Sequence, residues 1–164
     1  MKFSVPALLV LLALITMSVS TKNVSAVKGV NPGDQAPLFE TVEKGSSVTF
    51  KNETGHYTLL SFWAAYDAAS RFRNVKACNE LKAFGSTKLS IVSISFDKSE
   101  AVFTGTIKED GLDAVTVLQE KEGIKSEVYR KYKLKKGLRN FLIDDEGIIV
   151  AVNVNSTDLR NWIR

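Results

Sequence analysis

The chain has 164 residues, of which 45% are hydrophobic and 24% are charged, so one domain with a packed core is expected beside a short leader. Its one cysteine, Cys78, excludes an internal disulfide, a CxxC redox pair and a cysteine-based zinc site. With 22 basic and 18 acidic residues and no continuous basic run, the charge gives little support for a nucleic-acid partner.

The N-terminus has the pattern of a secretory signal peptide. An apolar run at positions 5–19 follows a basic residue and is shorter than the ~20 residues that span a bilayer. Small residues offer cleavage sites after Ser20 or Ala26, and no cysteine is present there for lipid attachment. We therefore predict an exported protein, periplasmic or secreted, with a signal peptide at 1–26 and one domain at 27–164. If the leader is instead an uncleaved anchor, it is the only part expected to contact a membrane.

Strands alternate with helices along the rest of the chain, which predicts an α/β domain with a mixed central sheet. The nearly continuous apolar run Tyr57–Trp63 is typical of a strand buried on both faces. In the predicted helix at 68–84, a helical period places Phe72, Val75, Cys78 and Leu81 on one apolar face. The other predicted elements are two short strands within 38–50, a strand at 89–96, a helix at 99–109, a strand at 114–118, a helix at 126–132, strands at 140–144 and 148–154, and a last helix opened by Ser156 as its N-cap.

Four short motifs occur in order between about residue 30 and the C-terminus: Gly33-Asp-Gln-Ala-Pro-Leu-Phe39, Leu60-Ser-Phe-Trp-Ala64, Tyr129 to Leu134, and Phe141-Leu-Ile-Asp-Asp-Glu-Gly147. Each is weak alone. Their order and spacing resemble the thioredoxin fold and, more narrowly, the exported thiol-disulfide oxidoreductases of the TlpA/ResA type, which are related to the peroxiredoxins. The resemblance implies a three-layer, thioredoxin-like α/β fold with helices flanking a mixed sheet.

In that family a Trp-Cys-x-x-Cys motif begins a helix, where free backbone N–H groups and the helix dipole stabilise the reactive thiolate. Aligned without a gap, the two cysteine positions fall on Asp67 and Ser70, and an aromatic position falls on Tyr66. Neither a carboxylate nor a hydroxyl forms the mixed disulfide that thiol exchange requires. The family also has a cis-proline, expected near 138–140, where this sequence has no proline, so we predict a trans loop. The resemblance therefore implies a redox-inactive relative.

Asp67 has two interpretations. It is a good N-cap for the following helix, or it belongs to a polar recognition patch with Tyr66 and Ser70, assisted by basic side chains. Because the 138–140 loop faces the helix N-terminus in the family, an ion pair between Asp67 and Arg139 is a hypothesis. The candidate binding residues are Trp63, Tyr66, Asp67, Ser70, Arg71, Leu138, Arg139 and Asn140. Trp63 is explained equally as a core residue, and we predict no catalytic residue, cofactor or metal ion.

Three functional hypotheses remain open. The preferred one is a redox-inactive domain of the cell envelope that binds a protein or peptide through the face around Asp67. The alternative is a thiol-disulfide oxidoreductase or antioxidant protein acting through Cys78 or a partner's cysteine, although Cys78 is expected to be buried, about 16 Å along the helix from Asp67. The third is an anion site at the helix N-terminus, which the carboxylate of Asp67 opposes. The sole histidine, His56, precedes the central strand, so Ser70 has no histidine base near it.

Overall fold

The computed structural model describes residues 26–41, 46–48, 50, 53–85 and 87–162. The predicted leader lies almost wholly outside the described residues, so its processing stays a prediction. The strands are β1 Phe39–Thr41, β2 Ser46–Val48, β3 Tyr57–Trp63, β4 Leu89–Ser95, β5 Thr116–Gln119, β6 Asn140–Ile143 and β7 Ile149–Val152. The helices are α1 Ala68–Phe84, α2 Glu100–Asp110, α3 Glu127–Lys131 and α4 Ser156–Trp162, with short 3-10 helices at 112–114, 123–125 and 134–136. Within the described residues, no helix is both long enough and apolar enough to cross a bilayer.

Five strands form one mixed sheet in the order β5-β4-β3-β6-β7, and β1 and β2 form a separate antiparallel pair. Strands β3, β4 and β5 are parallel, whereas β6 is antiparallel to both β3 and β7. The predicted mixed sheet is therefore confirmed. Because the three parallel strands end at the same edge, Trp63, Ser95 and Gln119 bring the segments that follow them close together.

The core has two parts, one on each face of the sheet. Leu60 and Phe62 of β3 pack into an aromatic cluster with Tyr132, whose ring centroid lies 5.0 Å from that of Phe62. Leu59 and Trp63 face the opposite way and pack with residues of α1 and α4. Alternate side chains of β3 are thus buried on opposite faces, as the apolar run predicted.

Helix α1 buries Cys78, with Val75 and Leu81 partly buried against the same core, as predicted, but it does not bury Phe72. Phe72 is 63% exposed, with the ammonium group of Lys76 5.4 Å from its ring centroid, so its assignment to the apolar face is wrong. The face that meets the sheet carries Asn74, whose Oδ1 accepts a 3.0 Å hydrogen bond from the hydroxyl of Ser93. That hydroxyl in turn accepts a 2.7 Å bond from the indole N–H of Trp63. Apolar periodicity did not predict the burial of Asn74, because a hydrogen-bond network rather than a large apolar residue fills that part of the face.

Side-chain caps define the helix starts. The carboxylate of Asp67 caps α1, and the hydroxyls of Ser99 and Ser126 cap α2 and α3. The predicted cap of α4 is wrong by one residue. The Oδ1 of Asn155 accepts the 2.9 Å bond from the N–H of Asp158, so Asn155 takes the place assigned to Ser156.

The segment before β1 covers the β7 edge of the sheet. The N–H of Gly33 donates to the carbonyl of Ile149 at 2.8 Å, and the N–H of Ile149 donates to the carbonyl of Asp34 at 2.9 Å. The side-chain amide of Gln35 donates to the carbonyl of Gly147 at 3.1 Å. These bonds satisfy backbone groups that an edge strand otherwise leaves unpaired.

Candidate functional site

The candidate site begins where β3 leaves the sheet edge and turns into α1. The N–H of Ala65 donates to both carboxylate oxygens of Asp97, at 3.0 and 2.9 Å, and the N–H of Asp67 donates to the carbonyl of Ala64 at 3.1 Å. The short turn at 64–67 is thereby fixed to the segment after β4. This turn places Tyr66 and Asp67 at the N-terminus of α1.

Asp67 is confirmed as the N-cap of α1. Its Oδ1 accepts a 3.1 Å hydrogen bond from the N–H of Ser70, and its backbone carbonyl accepts from the N–H of Arg71 at 3.0 Å. Ser70 is only 1% exposed, and its hydroxyl donates back to the carbonyl of Asp67 at 3.1 Å. Asp67 and Ser70 therefore act as hydrogen-bond partners for each other, and the hydroxyl of Ser70 does not face solvent.

Two buried carboxyl groups lie behind the turn, and the sequence analysis did not identify them. Asp97 accepts a 2.7 Å bond from the hydroxyl of Ser95, and its backbone carbonyl accepts from the amide of Gln119 at 2.8 Å. Burial raises the pKa of Glu120, whose Oε1 accepts a 2.8 Å bond from the N–H of Glu122. Both carboxyls lie within two residues of the C-terminal end of a parallel strand. That position at the sheet edge is the sequence feature that indicates them.

Tyr66 is the most accessible of the predicted site residues, with 75% of its surface exposed. Partial desolvation of its hydroxyl raises the pKa of Tyr66, and the nearby groups of Asp97, Tyr129 and Asp67 raise it further. The phenol therefore stays protonated through the neutral range and is available as a hydrogen-bond donor. Its electrostatic partners place it between the cap of α1 and the N-terminal part of α3.

Arg71 points away from the predicted patch. Its guanidinium donates to both carboxylate oxygens of Asp110, at 2.8 and 2.7 Å, and to Glu109 at 2.9 Å. The hydrogen bond to Asp110 is the main reason that the pKa of Arg71 lies above its ordinary value. Arg71 therefore joins α1 to the end of α2, and its donors are already engaged.

The hypothesised ion pair between Asp67 and Arg139 is wrong, because no ion pair joins them in the part of the chain that the structure describes. The guanidinium of Arg139 turns the other way. It donates to the carbonyls of Tyr132 and Lys133 at 3.3 and 3.5 Å and lies 5.4 Å from the ring centroid of Phe141. The guanidinium of Arg139 therefore lies against carbonyl groups of the preceding turn and the ring of Phe141, and not beside the carboxylate of Asp67.

The loop at 138–140 is attached to α1 by a residue that the sequence analysis did not single out. The guanidinium of Arg73 donates to the carbonyl of Leu138 at 2.7 Å, and Leu138 itself is buried. The predicted trans backbone is confirmed, since no cis peptide bond occurs among the described residues. Asn140 is also buried, and its amide exchanges bonds of 2.8 and 2.7 Å with the backbone of Val154.

The predicted site residues therefore separate into two groups. Tyr66, Asp67, Arg71 and Arg139 reach the surface to different extents. The other members are buried and hold the fold: Trp63, Ser70, Leu138 and Asn140.

Cys78 lies in the core between α1 and the sheet. It is 1% exposed, and burial raises the pKa of its thiol to about 12. The thiol is thus protonated at neutral pH, which agrees with the predicted buried, inert cysteine. His56 is equally buried, with its ring nitrogens 3.0 Å from the carbonyl of Thr87 and 2.9 Å from the hydroxyl of Ser90.

The acidic turn at 144–146 is explained by its own backbone. Oδ1 of Asp144 accepts from the N–H groups of Glu146 and Ile148 at 3.0 and 2.8 Å, and Oδ2 of Asp145 accepts from the N–H of Gly55 at 2.7 Å. Across the described ranges, no group of three or more histidine, cysteine, aspartate or glutamate side chains is arranged to hold a metal ion.

A groove of about 530 Å³ lies beside Tyr129. We call it the basic groove, and it is lined by Ile124, Tyr129, Arg130, Lys133, Lys135 and Lys136. The sequence has no continuous basic run, so this groove was not predicted. The sequence feature that indicates the groove is the close spacing of Lys133, Lys135 and Lys136 within one short turn.

Comparisons with known proteins agree with this architecture. The model of the AhpC/TSA family matches residues 32–152. A thioredoxin-like protein from Parabacteroides distasonis is 51% identical over 82% of this chain and 96% of its own, with a TM-score of 0.74. A thiol:disulfide interchange protein from Bacteroides sp. is 28% identical over 82% of this chain and 88% of its own, with a TM-score of 0.64. No functionally curated protein matches significantly. The predicted thioredoxin-like fold is confirmed.

Proposed function

Since this chain belongs to the AhpC/TSA family and has a thioredoxin-like fold, we propose that it is a redox-inactive member that binds a protein or peptide. The proposed binding surface is the face around Tyr66 and Asp67, at the N-terminus of α1. In this proposal Asp67 and Ser70 occupy the two positions that cysteines hold in active relatives.

The observation that carries the redox-inactive assignment is the state of the one thiol. Disulfide exchange begins with attack by a thiolate, so the attacking sulfur must be accessible and deprotonated. Cys78 is neither, because it is 1% exposed and its pKa is raised to about 12. At pH 7 a thiol with that pKa is thiolate in roughly one molecule in 100,000.

The helix N-terminus supports the same proposal. A catalytic thiolate in this fold is stabilised by free N–H groups in the first turn of the helix. Here the carboxylate of Asp67 accepts the N–H of Ser70 at 3.1 Å, so this donor is used for local stability. An added anion at that point meets a carboxylate instead of open donors, which disfavours an anion site.

Tyr66 supports a binding role for this face. Tyrosine combines a large apolar ring with a hydrogen-bonding hydroxyl, and it is enriched where proteins bind other proteins. Tyr66 is 75% exposed, whereas the turn that carries it is fixed by the two bonds from Ala65 to Asp97. A rigid backbone presenting an exposed aromatic side chain lowers the entropy lost on binding.

We also propose that the protein works outside the cytoplasm, in the cell envelope or beyond it. The support is the signal-peptide pattern in the sequence at positions 1–26, where an apolar run follows a basic residue and precedes small residues.

Two assays of the purified protein test the redox-inactive assignment. In insulin reduction with dithiothreitol, we expect the rate to equal the rate without protein. In a thiol titration with a chromogenic disulfide, we expect Cys78 to react only after denaturant is added. Measurable insulin turnover, or fast reaction of Cys78 in the native protein, would favour the alternative of a thiol-disulfide oxidoreductase and overturn the proposal.

Site-specific crosslinking in the producing cell tests the binding face. A photo-reactive amino acid replaces Tyr66, and the matched control carries it in place of Val102, an exposed apolar residue on α2. We expect one discrete polypeptide adduct at Tyr66 and none at Val102, followed by binding of the identified partner in purified form. Equal adducts at both positions would show that the face has no preference.

A further inference from the structure

The basic groove gathers four cations that have no carboxylate partner among the described residues. Arg130, Lys133, Lys135 and Lys136 all line it and are exposed. No carboxylate lies within ion-pair distance of these four among the residues that the structure describes. By contrast Lys131, which alternates with them in sequence, pairs with Glu127 at 2.9 Å and faces another surface.

This charge is local and is not a general property of the chain. Residues 27–164 contain 20 basic and 18 acidic residues, so all of the excess positive charge is accounted for by the groove. Without its four cations the remainder has 16 basic and 18 acidic residues, which is a slight negative balance. Four like charges around one recess repel one another, and an anionic occupant relieves that repulsion.

The groove also has an apolar floor. Ile124 is 71% exposed, and the ring of Tyr129 is held edge-on to Phe96 with centroids 5.6 Å apart. The backbone N–H of Tyr129 donates to the hydroxyl of Ser126 at 3.2 Å, which fixes the start of α3 beneath it. An exposed isoleucine beside a fixed aromatic ring is a surface that gains from burial of an apolar side chain.

Arg139 contacts the backbone of the turn that carries three of the groove lysines. Its guanidinium donates to the carbonyls of Tyr132 and Lys133, at the point where Lys133 adopts a left-handed backbone with φ of 51°. Lys133, Lys135 and Lys136 of this turn all line the groove. Arg139 is therefore a positioning residue for the groove in place of its predicted role beside Asp67.

We propose that the basic groove binds an acidic peptide segment in which one apolar side chain seats on Ile124 and Tyr129 while flanking carboxylates meet the four cations. The proposal rests on the proposed function and names the chemistry of its partner. One segment joins the two surfaces, because Phe96 packs on Tyr129 and the adjacent Asp97 accepts the N–H of Ala65, next to Tyr66. A recess of about 530 Å³ accommodates a single large side chain.

Fluorescence anisotropy with a labelled peptide tests the proposal. The probe is the hexapeptide Glu-Asp-Glu-Phe-Asp-Glu, and its two controls replace all acids with Gln and Asn, or Phe with Ser. We expect the probe to bind at least about tenfold more tightly than either control at low salt, and its affinity to fall as salt rises. Equal binding of the uncharged control would overturn the charge argument.

Protein variants locate the site. Lys135→Gln/Lys136→Gln is expected to weaken probe binding about fivefold or more and to flatten its salt dependence. Ile124→Ser is expected to abolish the preference for Phe over Ser while leaving the salt dependence unchanged. The matched control, Lys28→Gln/Lys108→Gln, removes the same charge from exposed lysines outside the groove and is expected to change affinity less than twofold. A loss in the control equal to that in the groove variant would overturn the assignment.

Two further outcomes separate this inference from the proposed function. If vesicles containing phosphatidylglycerol bind the protein through Lys135 and Lys136 and the peptide does not, the groove contacts membranes and the peptide proposal fails. If the Tyr66 crosslink forms a specific adduct that survives Lys135→Gln/Lys136→Gln, the proposed function stands and the groove proposal fails. If the peptide binds through the groove without any Tyr66 adduct, the groove proposal stands and the proposed face is wrong.

Discussion

The N-terminus of α1 and the basic groove are joined by the segment that holds Phe96 and Asp97, yet their polar groups are in opposite states. At the helix N-terminus, Asp67 and Ser70 bond to each other, and Arg71 is fully engaged by Asp110. In the groove, four cations have no carboxylate partner within the described part of the chain. Groups that are satisfied internally contribute to stability, whereas unpaired groups are available for a partner. We therefore expect substitutions of the internally bonded groups to lower stability more than substitutions of the unpaired groups.

The largest effect on stability is expected beneath α1, from Ser93→Ala. This change removes the acceptor of the Trp63 indole N–H and the donor to Asn74, leaving buried polar groups unpaired. We expect the free energy of unfolding to fall by about 2–3 kcal/mol in urea denaturation. Ser156→Ala is the control, and it is expected to cost less than about 0.5 kcal/mol because Asn155 provides the cap.

The next effect is expected at the cap of α1. Asp67→Ala removes the acceptor of the Ser70 N–H and is expected to cost about 1 kcal/mol of unfolding free energy. Asp67→Asn keeps an oxygen acceptor and is expected to cost only a few tenths of a kcal/mol. If both variants lose the same amount in thermal and urea denaturation, the charge of Asp67 matters more than its hydrogen bond.

A comparison of paired and unpaired charges is expected to give smaller differences. Asp110→Asn weakens the two bonds to the Arg71 guanidinium and is expected to cost about 0.5–1 kcal/mol. Lys135→Gln/Lys136→Gln removes no ion pair, so its free energy of unfolding is expected to stay within about 0.5 kcal/mol of wild type, or to rise at low salt. A larger loss in the lysine variant would mean that the groove cations have structural partners.

The smallest effect is expected in the pH dependence of stability. Burial raises the pKa of Glu120 above its unfolded value, so the folded state binds this proton more tightly. Its stabilising contribution is complete below the unfolded pKa and is lost as pH rises through the folded pKa. Glu120→Gln keeps an acceptor for the Glu122 N–H and is expected to flatten this decline in urea denaturation between pH 4 and 7. An unchanged pH profile in Glu120→Gln would contradict the raised pKa.

The sequence predicted the central elements with their observed limits. Strand Tyr57–Trp63 and helix Ala68–Phe84 have strong, uninterrupted patterns, and a capping aspartate and a glycine bound the helix. The apolar pattern gave a wrong prediction where contacts with distant residues decide which side chains are buried. Phe72 is exposed because Asn74 occupies the buried face, and hydrophobicity does not reveal a hydrogen bond to Ser93 from another strand.

The candidate site was harder to predict than the fold. The capping role of Asp67 depends on neighbours in sequence and was therefore predictable. The direction of Arg139 depends on the carbonyls of a left-handed turn, which the sequence does not specify. The groove combines residues from a 3-10 helix, α3 and a second 3-10 helix, and only the folded chain brings Ile124 beside Lys136.

The bonds that tie the segment before β1 to β7 have a consequence for the order in which the protein is completed. Gln35 is synthesised early, yet the carbonyl it contacts belongs to Gly147, 112 positions later. The edge of β3 that pairs with β6 likewise stays uncovered until β6 has been synthesised. Most of the chain must therefore be synthesised before the sheet can form completely. Pairings between such distant segments form slowly. Until residue 143 has been made, one edge of the central strand stays open to other chains.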